Sequence, residues 1–324
     1  MTYLLLVGTM LLLLVACELF TNSVEWLGYK LGLSEGTIGS VLAAVGTALP
    51  ETLIPIVAIS RGGEAARSMS VGAILGAPFM LATLAMFVSG LAVVLMRGMR
   101  RESTIVHADM DGMSRDVSWF LLTFGALLVG ALLPGGWPRV LLALALLLSY
   151  AVYITKTVAH TEQEGQRPPA LRFGGVKPNM FLVVLQLVFS LALLLTAAQG
   201  FVTAVQDVAK MLNVPLMALS LLIVPVATEL PEKFNSVVWL ARRRDTLAIG
   251  NITGAMVFQA AIPGAIGLLF TSWEFDRYSW LSSALAAGSM VLMWLWLRSK
   301  KPLPALLLLF GGLLYAIYVA FVVV

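Results

Sequence analysis

Charge is scarce in this chain. Of its 324 residues only 12% are Asp, Glu, Lys or Arg, while 60% are apolar. Soluble domains carry about 25% charged and about 45–50% apolar residues, so this composition excludes a water-soluble fold and makes the lipid bilayer the main solvent. Cysteine is nearly absent: Cys17 stands alone, which excludes an internal disulfide, and with only two histidines the chain lacks the usual ligands of a structural zinc site. The enzyme signatures are missing too. There is no H-E-x-x-H and no G-x-S-x-G, and His107 and His160 both fall in polar loops, so the chain reads as a non-enzyme. Nothing resembles a selectivity-filter loop, which places a cation channel behind a transporter. Basic residues come in short clusters between apolar runs instead of a stripe interleaved with aromatics, a pattern that suits membrane flanks and not nucleic acid. The first apolar run lacks a basic n-region and a clear cleavage site, so it reads as a retained span and not a signal peptide.

The apolar runs themselves set the architecture. A spanning helix needs about 20 mostly apolar residues, and ten segments qualify, near 3–20, 37–60, 71–96, 117–134, 138–156, 180–200, 214–240, 246–271, 279–297 and 303–323. Residues 157–179 are polar and rich in Pro and Gly, as a linker between a first half (1–156) and a second (180–324) would be. With ten spans, fifteen Lys and Arg residues fall on the side opposite the termini and five on the termini's side, with Lys233 inside a span. The positive-inside rule makes the richer side cytoplasmic, so both termini face outward from a multi-pass cell membrane protein.

The halves resemble each other. Laying Pro50 on Pro231 aligns residues 18–61 with 199–242 without a gap, and ten of the 44 pairs are identical, among them Thr47/Thr228, Leu49/Leu230, Pro50/Pro231 and Glu51/Glu232. Further on, VGAILGA (71–77) lies on IGNITGA (249–255). Each half has five spans, an odd number, so the second enters the membrane from the opposite face. The fold class is therefore an all-α integral membrane protein of ten transmembrane helices, arranged as two inverted five-helix repeats. That layout is common in secondary transporters, whose ion sites lie where the repeats meet.

The repeated Thr-x-Leu-Pro-Glu is the chemical core. Each proline removes a helical donor and frees a carbonyl about one turn earlier, a gap tolerated in lipid only where protein or an aqueous cavity covers it. Thr47 and Thr228 place a hydroxyl on that turn, and Glu51 and Glu232 follow directly. Hydroxyl, carbonyl and carboxylate oxygens are hard ligands suited to Ca²⁺ or Na⁺. A charge at a helix centre costs about 2.5–3.5 kcal/mol on insertion scales, so acids here carry function by default. Glu229 adds a third acid, and Lys233 four residues on would balance one charge or snorkel. Gly72-x-x-x-Gly76 and Gly250-x-x-x-Gly254 predict close helix packing against the broken turns. Glu18 and Gln199, matched in the repeat, read as interfacial. The acids Glu102, Asp109, Asp111 and Asp116 read as a loop without an EF-hand pattern.

GTALPE with VGAILGA, and ATELPE with IGNITGAMVFQ, resemble the two alpha-repeats of the sodium/calcium exchanger superfamily. The resemblance covers both repeats and the five-plus-five plan. It implies a secondary cation antiporter working by alternating access, exchanging Ca²⁺ or another divalent cation for Na⁺ or H⁺; exchange of Na⁺ or Mn²⁺ for H⁺ on the same fold is the alternative. No cofactor is implied beyond the transported ions, and the partners are inorganic cations and the bilayer, with protein partners left open. Carried over by position, the calcium carboxylates fall on Glu51 and Glu232, and the backbone and hydroxyl ligands on Thr47 and Thr228. Glu229 and Ala48 occupy the small or hydroxyl position. Asn251 keeps the second motif's first asparagine, opposite Ala73. Its serine becomes Ala77 and Ala255, and its last Asn/Asp becomes Leu81 and Gln259. Losing those oxygens argues against several sodium sites and suits coupling to protons.

Overall fold

A computed structural model describes residues 2–31, 49–98, 103–158, 169–229, 236–237, 239–241, 243 and 245–323. Its helices are α1 (Thr2–Lys30), α2 (Leu49–Arg61), α3 (Glu64–Met80) leading through a π turn (Leu81–Ala85) into α4 (Met86–Leu95), α5 (Met110–Leu132), α6 (Trp137–Val158), α7 (Met180–Leu212), α8 (Leu216–Thr228), α9 (Asp245–Phe270), α10 (Arg277–Arg298) and α11 (Ala305–Val323). Among the described residues eight stretches are long and apolar enough to cross a membrane, counting α3–α4 as one. The two remaining expected spans are represented by the shorter helices α2 and α8. Residues 32–48, the earlier part of the first of these spans, lie outside the described residues; α2 includes Leu49, Pro50 and Glu51 of the first motif, and α8 ends at Thr228 of the second.

The central packing follows from small residues. A Cβ on Gly72 would lie 2.6 Å from the Met217 carbonyl oxygen, and one on Gly76 would lie 2.6 Å from that of Leu221 and 2.7 Å from Pro225 Cγ. The expected close approach of the third span to the broken helix α8 is thus present. In the second half, Gly254 has only the Tyr153 hydroxyl at 3.7 Å and Gly250 has nothing described within 4 Å; its counterpart partner, around residues 36–44, lies outside the described residues. Helix α9 packs on α5, α6 and α3, and α11 on α4 and the π turn. The windows of α3–α4 and α9 are the most buried of the spans, whereas α1, α6, α7 and α11 turn most of their apolar surface outward, as lipid-facing helices should.

Helix α1 rests mainly on α7. Both run well past their expected ends at residues 20 and 200, because the polar residues that suggested an end find partners. Glu18 pairs with Arg172. Gln186 donates to the Leu19 carbonyl (2.9 Å) and to Asn22 Oδ1 (3.2 Å) and accepts from the Phe173 amide (2.9 Å). Trp26 Nε1 donates to the Pro169 carbonyl at 2.6 Å. Residues 169–175 so form a clip across α1 and α7, closed by a bridge between Leu171 and Gly175. Arg61, ending α2, donates to Thr203 Oγ1 and the Gln199 carbonyl on α7.

Of the stretch read as an acidic loop, 97–116, residues 99–102 with Glu102 lie outside the described residues, and residues 103–116 are more ordered than their composition suggested. Ile105–Val106 pair antiparallel with Leu303–Pro304. Asp109 caps α5, accepting from the amides of Asp111 and Gly112 at 3.1 Å; such caps contribute about 1 kcal/mol. Asp116 is no loop residue but a buried member of α5.

Candidate cation site

Helix α8 ends at Thr228, three residues before Pro231, where a helical donor would be lost. Thr228 turns its hydroxyl back to the Val224 carbonyl (2.9 Å), and Glu229 closes the helix with its amide on the Pro225 carbonyl (2.8 Å). The Glu229 side chain is 2% exposed, and so is Glu51 in the first turn of α2. Helix α2 touches both α8 and α9. Gln259 on α9, 1% exposed, donates from Nε2 to Glu229 Oε1 at 2.7 Å. Its Oε1 is shielded from solvent and has no hydrogen-bond partner among the described residues, an oxygen free to accept or to coordinate. The structure therefore brings Glu229 and Gln259 together directly. Asn251 sits further toward the start of α9, half-buried, with its amide 3.4 Å from Ser236 Oγ, which itself donates to the Ala248 carbonyl. Thr47, Glu232 and Lys233 lie outside the described residues, and among the described residues no three His, Cys, Asp or Glu side chains gather.

Two features at this centre had little sequence signal. Leu81 and Ala77, where hydroxyl and amide oxygens were expected to be missing, are fully buried, and Leu81 opens the π turn. The cause is nearby: Pro78 lacks the donor its turn needs, and inserted hydroxyls take up neighbouring carbonyls, Thr83 Oγ1 bonding Phe79 O (2.5 Å) and Ser289 Oγ bonding Ala82 O (2.8 Å). The second is Asp116. It accepts from Tyr153 (3.0 Å), from Thr253 (2.9 Å) and from Arg115 (3.0 Å), so α5, α6 and α9 meet on one carboxylate. Only its position six residues after Met110, on the inner face of α5, could have exposed it.

Eight stretches apolar and long enough to cross a membrane, with Glu51 and Glu229 buried among the helices, define a class: a polytopic membrane transport protein. The chain belongs to the sodium/calcium exchanger protein family, which matches residues 1–158 and 182–324. It is 27% identical over 314 residues to the inner membrane protein YrbG of Escherichia coli K12, covering 93% of this chain and 90% of that one. It is 24% identical over 300 residues to the putative antiporter CaxA of Alkalimonas amylolytica, covering 90% and 86%. Among solved structures, the H⁺/Ca²⁺ exchanger CAX superposes with a TM-score of 0.78 at 18% identity, over 99% of this chain and 82% of that one. The sodium–calcium exchanger NCX_Mj superposes at 0.61 with 21% identity, over 99% of both chains. At these identities the structural likeness speaks for the fold, and the ten-helix inverted repeat is consistent with it.

Proposed function

We propose that this chain exchanges Ca²⁺, or a divalent cation of similar hardness, for protons by alternating access. Glu51 and Glu232 would hold the divalent ion, with oxygens of Thr47 and Thr228 beside them. Glu229, Gln259 and Asn251 complete the second half of the site. The observation that carries this reading is the Glu229–Gln259 bond: a buried acid, positioned by an amide, stands where the family pattern calls for a small or hydroxyl residue. The first half offers only Leu81 and Ala77 at the matching places, which removes the oxygens a set of sodium sites would need. With Glu51, Glu229 and Glu232 ionised and Lys233 cationic, the centre has a net charge of minus two, which one divalent ion neutralises. The similarity to the H⁺/Ca²⁺ exchanger CAX supports this reading, and coupling to sodium, as in the sodium–calcium exchanger NCX_Mj, is the competing one. The positive-inside count supports both termini lying outside a cell membrane.

The test is ⁴⁵Ca²⁺ uptake into proteoliposomes, driven in turn by a pH gradient and by a Na⁺ gradient, with Glu51→Gln as control. Uptake on the pH gradient, absent from the control, is the expected result. Uptake on sodium alone would overturn proton coupling, and no uptake on either gradient by folded protein would overturn Ca²⁺.

A further inference from the structure

An apolar groove of about 670 Å³ opens where α10 ends and α11 begins. Leu292, Leu295, Leu306 and Phe310 form its walls, and Lys301 stands in its rim. Leu295 is 54% and Leu306 75% exposed, so these walls present apolar surface outward. The positive-inside count puts this end of α10 at the cytoplasmic boundary of the membrane, and Trp294 and Trp296 are the aromatic residues expected at that depth.

The rim carries one sign of charge. Arg298, Lys300 and Lys301 lie within four residues, and no Asp or Glu occurs anywhere from residue 277 to 324. None of the three has an acidic partner among the described residues. Local geometry holds them in place. Arg298 lies over the Trp294 ring at 4.4 Å. Lys300 takes a left-handed backbone (φ 53°), its amide on the Leu297 carbonyl, and Trp296 Nε1 donates to the Pro302 carbonyl across the reversal. A slot shaped by leucines and open to lipid, capped at headgroup depth by uncompensated cations, is complementary to an amphiphile with an anionic head.

We propose that this groove binds an anionic phospholipid of the cytoplasmic leaflet, one acyl chain lying along Leu292, Leu295, Leu306 and Phe310 and the phosphate meeting Lys300 and Lys301. General attraction of a basic turn to an anionic surface would need no slot, and a zwitterionic lipid would leave the cations uncompensated. The site also has a mechanical link inward. Leu303–Pro304 pair with Ile105–Val106, and the next residue, His107, donates its amide to the buried Asp245 at 2.8 Å. Asp245 begins α9, which carries Asn251 and Gln259, so an occupied groove steadies the cytoplasmic end of the helix on which the proposed cation site partly rests.

Native mass spectrometry of the full chain in detergent tests binding without reference to transport. With phosphatidylglycerol and phosphatidylethanolamine added at equal concentration, one phosphatidylglycerol should be retained in preference. Lys300→Gln with Lys301→Gln should weaken that retention by about fivefold per lysine. Leu306→Trp, at an exposed position that fills the slot, should lower it with the lysines intact. Equal retention of both lipids by the native chain, unchanged retention in the double lysine variant, or competition by inorganic phosphate alone would each overturn the proposal. Because the readout is bound lipid, its failure is distinguishable from a failure of the exchange reading.

Discussion

Gln259 Nε2 donates to Glu229 Oε1 across 2.7 Å and so ties the end of the broken helix α8 to the middle of α9. A buried carboxylate held by an amide donor keeps one geometry, and a hydrogen bond to a charged group contributes about 1.5–3 kcal/mol. Gln259→Leu removes the donor at similar volume. It should weaken divalent-ion binding by about 10- to 100-fold, read by isothermal titration or by Ca²⁺-dependent protection against thermal unfolding.

Glu229→Gln separates binding from coupling. In the proposed scheme Glu51 and Glu232 still hold the divalent ion, so calcium-dependent thermal protection should persist in weakened form. Uptake driven by a pH gradient should fall at least about tenfold, the scale typical of losing one positioned acid–base group. Full pH-driven uptake in the variant would remove Glu229 from the coupling step.

Gly76→Ala places a methyl 2.6 Å from a backbone oxygen and 2.7 Å from Pro225, which cannot yield without shifting α8. Overpacking of this kind costs about 1–3 kcal/mol and should lower the unfolding temperature and the transport rate together. Gly125→Ala, inside α5 with nothing described within 4 Å, is the matched control and should leave the transport rate unchanged and the unfolding temperature no lower.

Asp116→Ala strips the common acceptor from Tyr153, Thr253 and Arg115. Buried donors left without acceptors cost about 1–3 kcal/mol each, so thermal stability should drop markedly, while Asp116→Asn, which keeps an acceptor oxygen, should drop it less. Equal losses in the two variants would mean that shape, and not hydrogen bonding, is what Asp116 supplies.

Much of this molecule could be read without coordinates. Lipid-facing helices need long apolar runs, so ten spans stood out, eight of which are long apolar helices among the described residues, and Gly72 and Gly76 announced a close crossing because only glycine permits it. Glu51, Thr228 and Glu229 were visible as acids and hydroxyls where hydrophobic helices should have none. What escaped were properties of partners. The ends of α1 and α7 were misplaced because Glu18, Asn22 and Gln199 look like termini until Arg172, Gln186 and Arg61 meet them from far along the chain. Asp116 looked solvated for the same reason: its three donors come from a neighbour and from two other helices. The π turn at Leu81 depends on Ser289, some two hundred residues away in sequence, and no local pattern encodes that contact.

The clip across α1 and α7 also sets when the first half can complete its packing. Helix α1 has its principal neighbour in residues 180–212, and its polar residues Glu18, Asn22 and Trp26 are bonded by residues 169–186. Until those residues are made, α1 sits in the bilayer with unsatisfied groups and an unoccupied face. The packing of the first half is thus completed by the second.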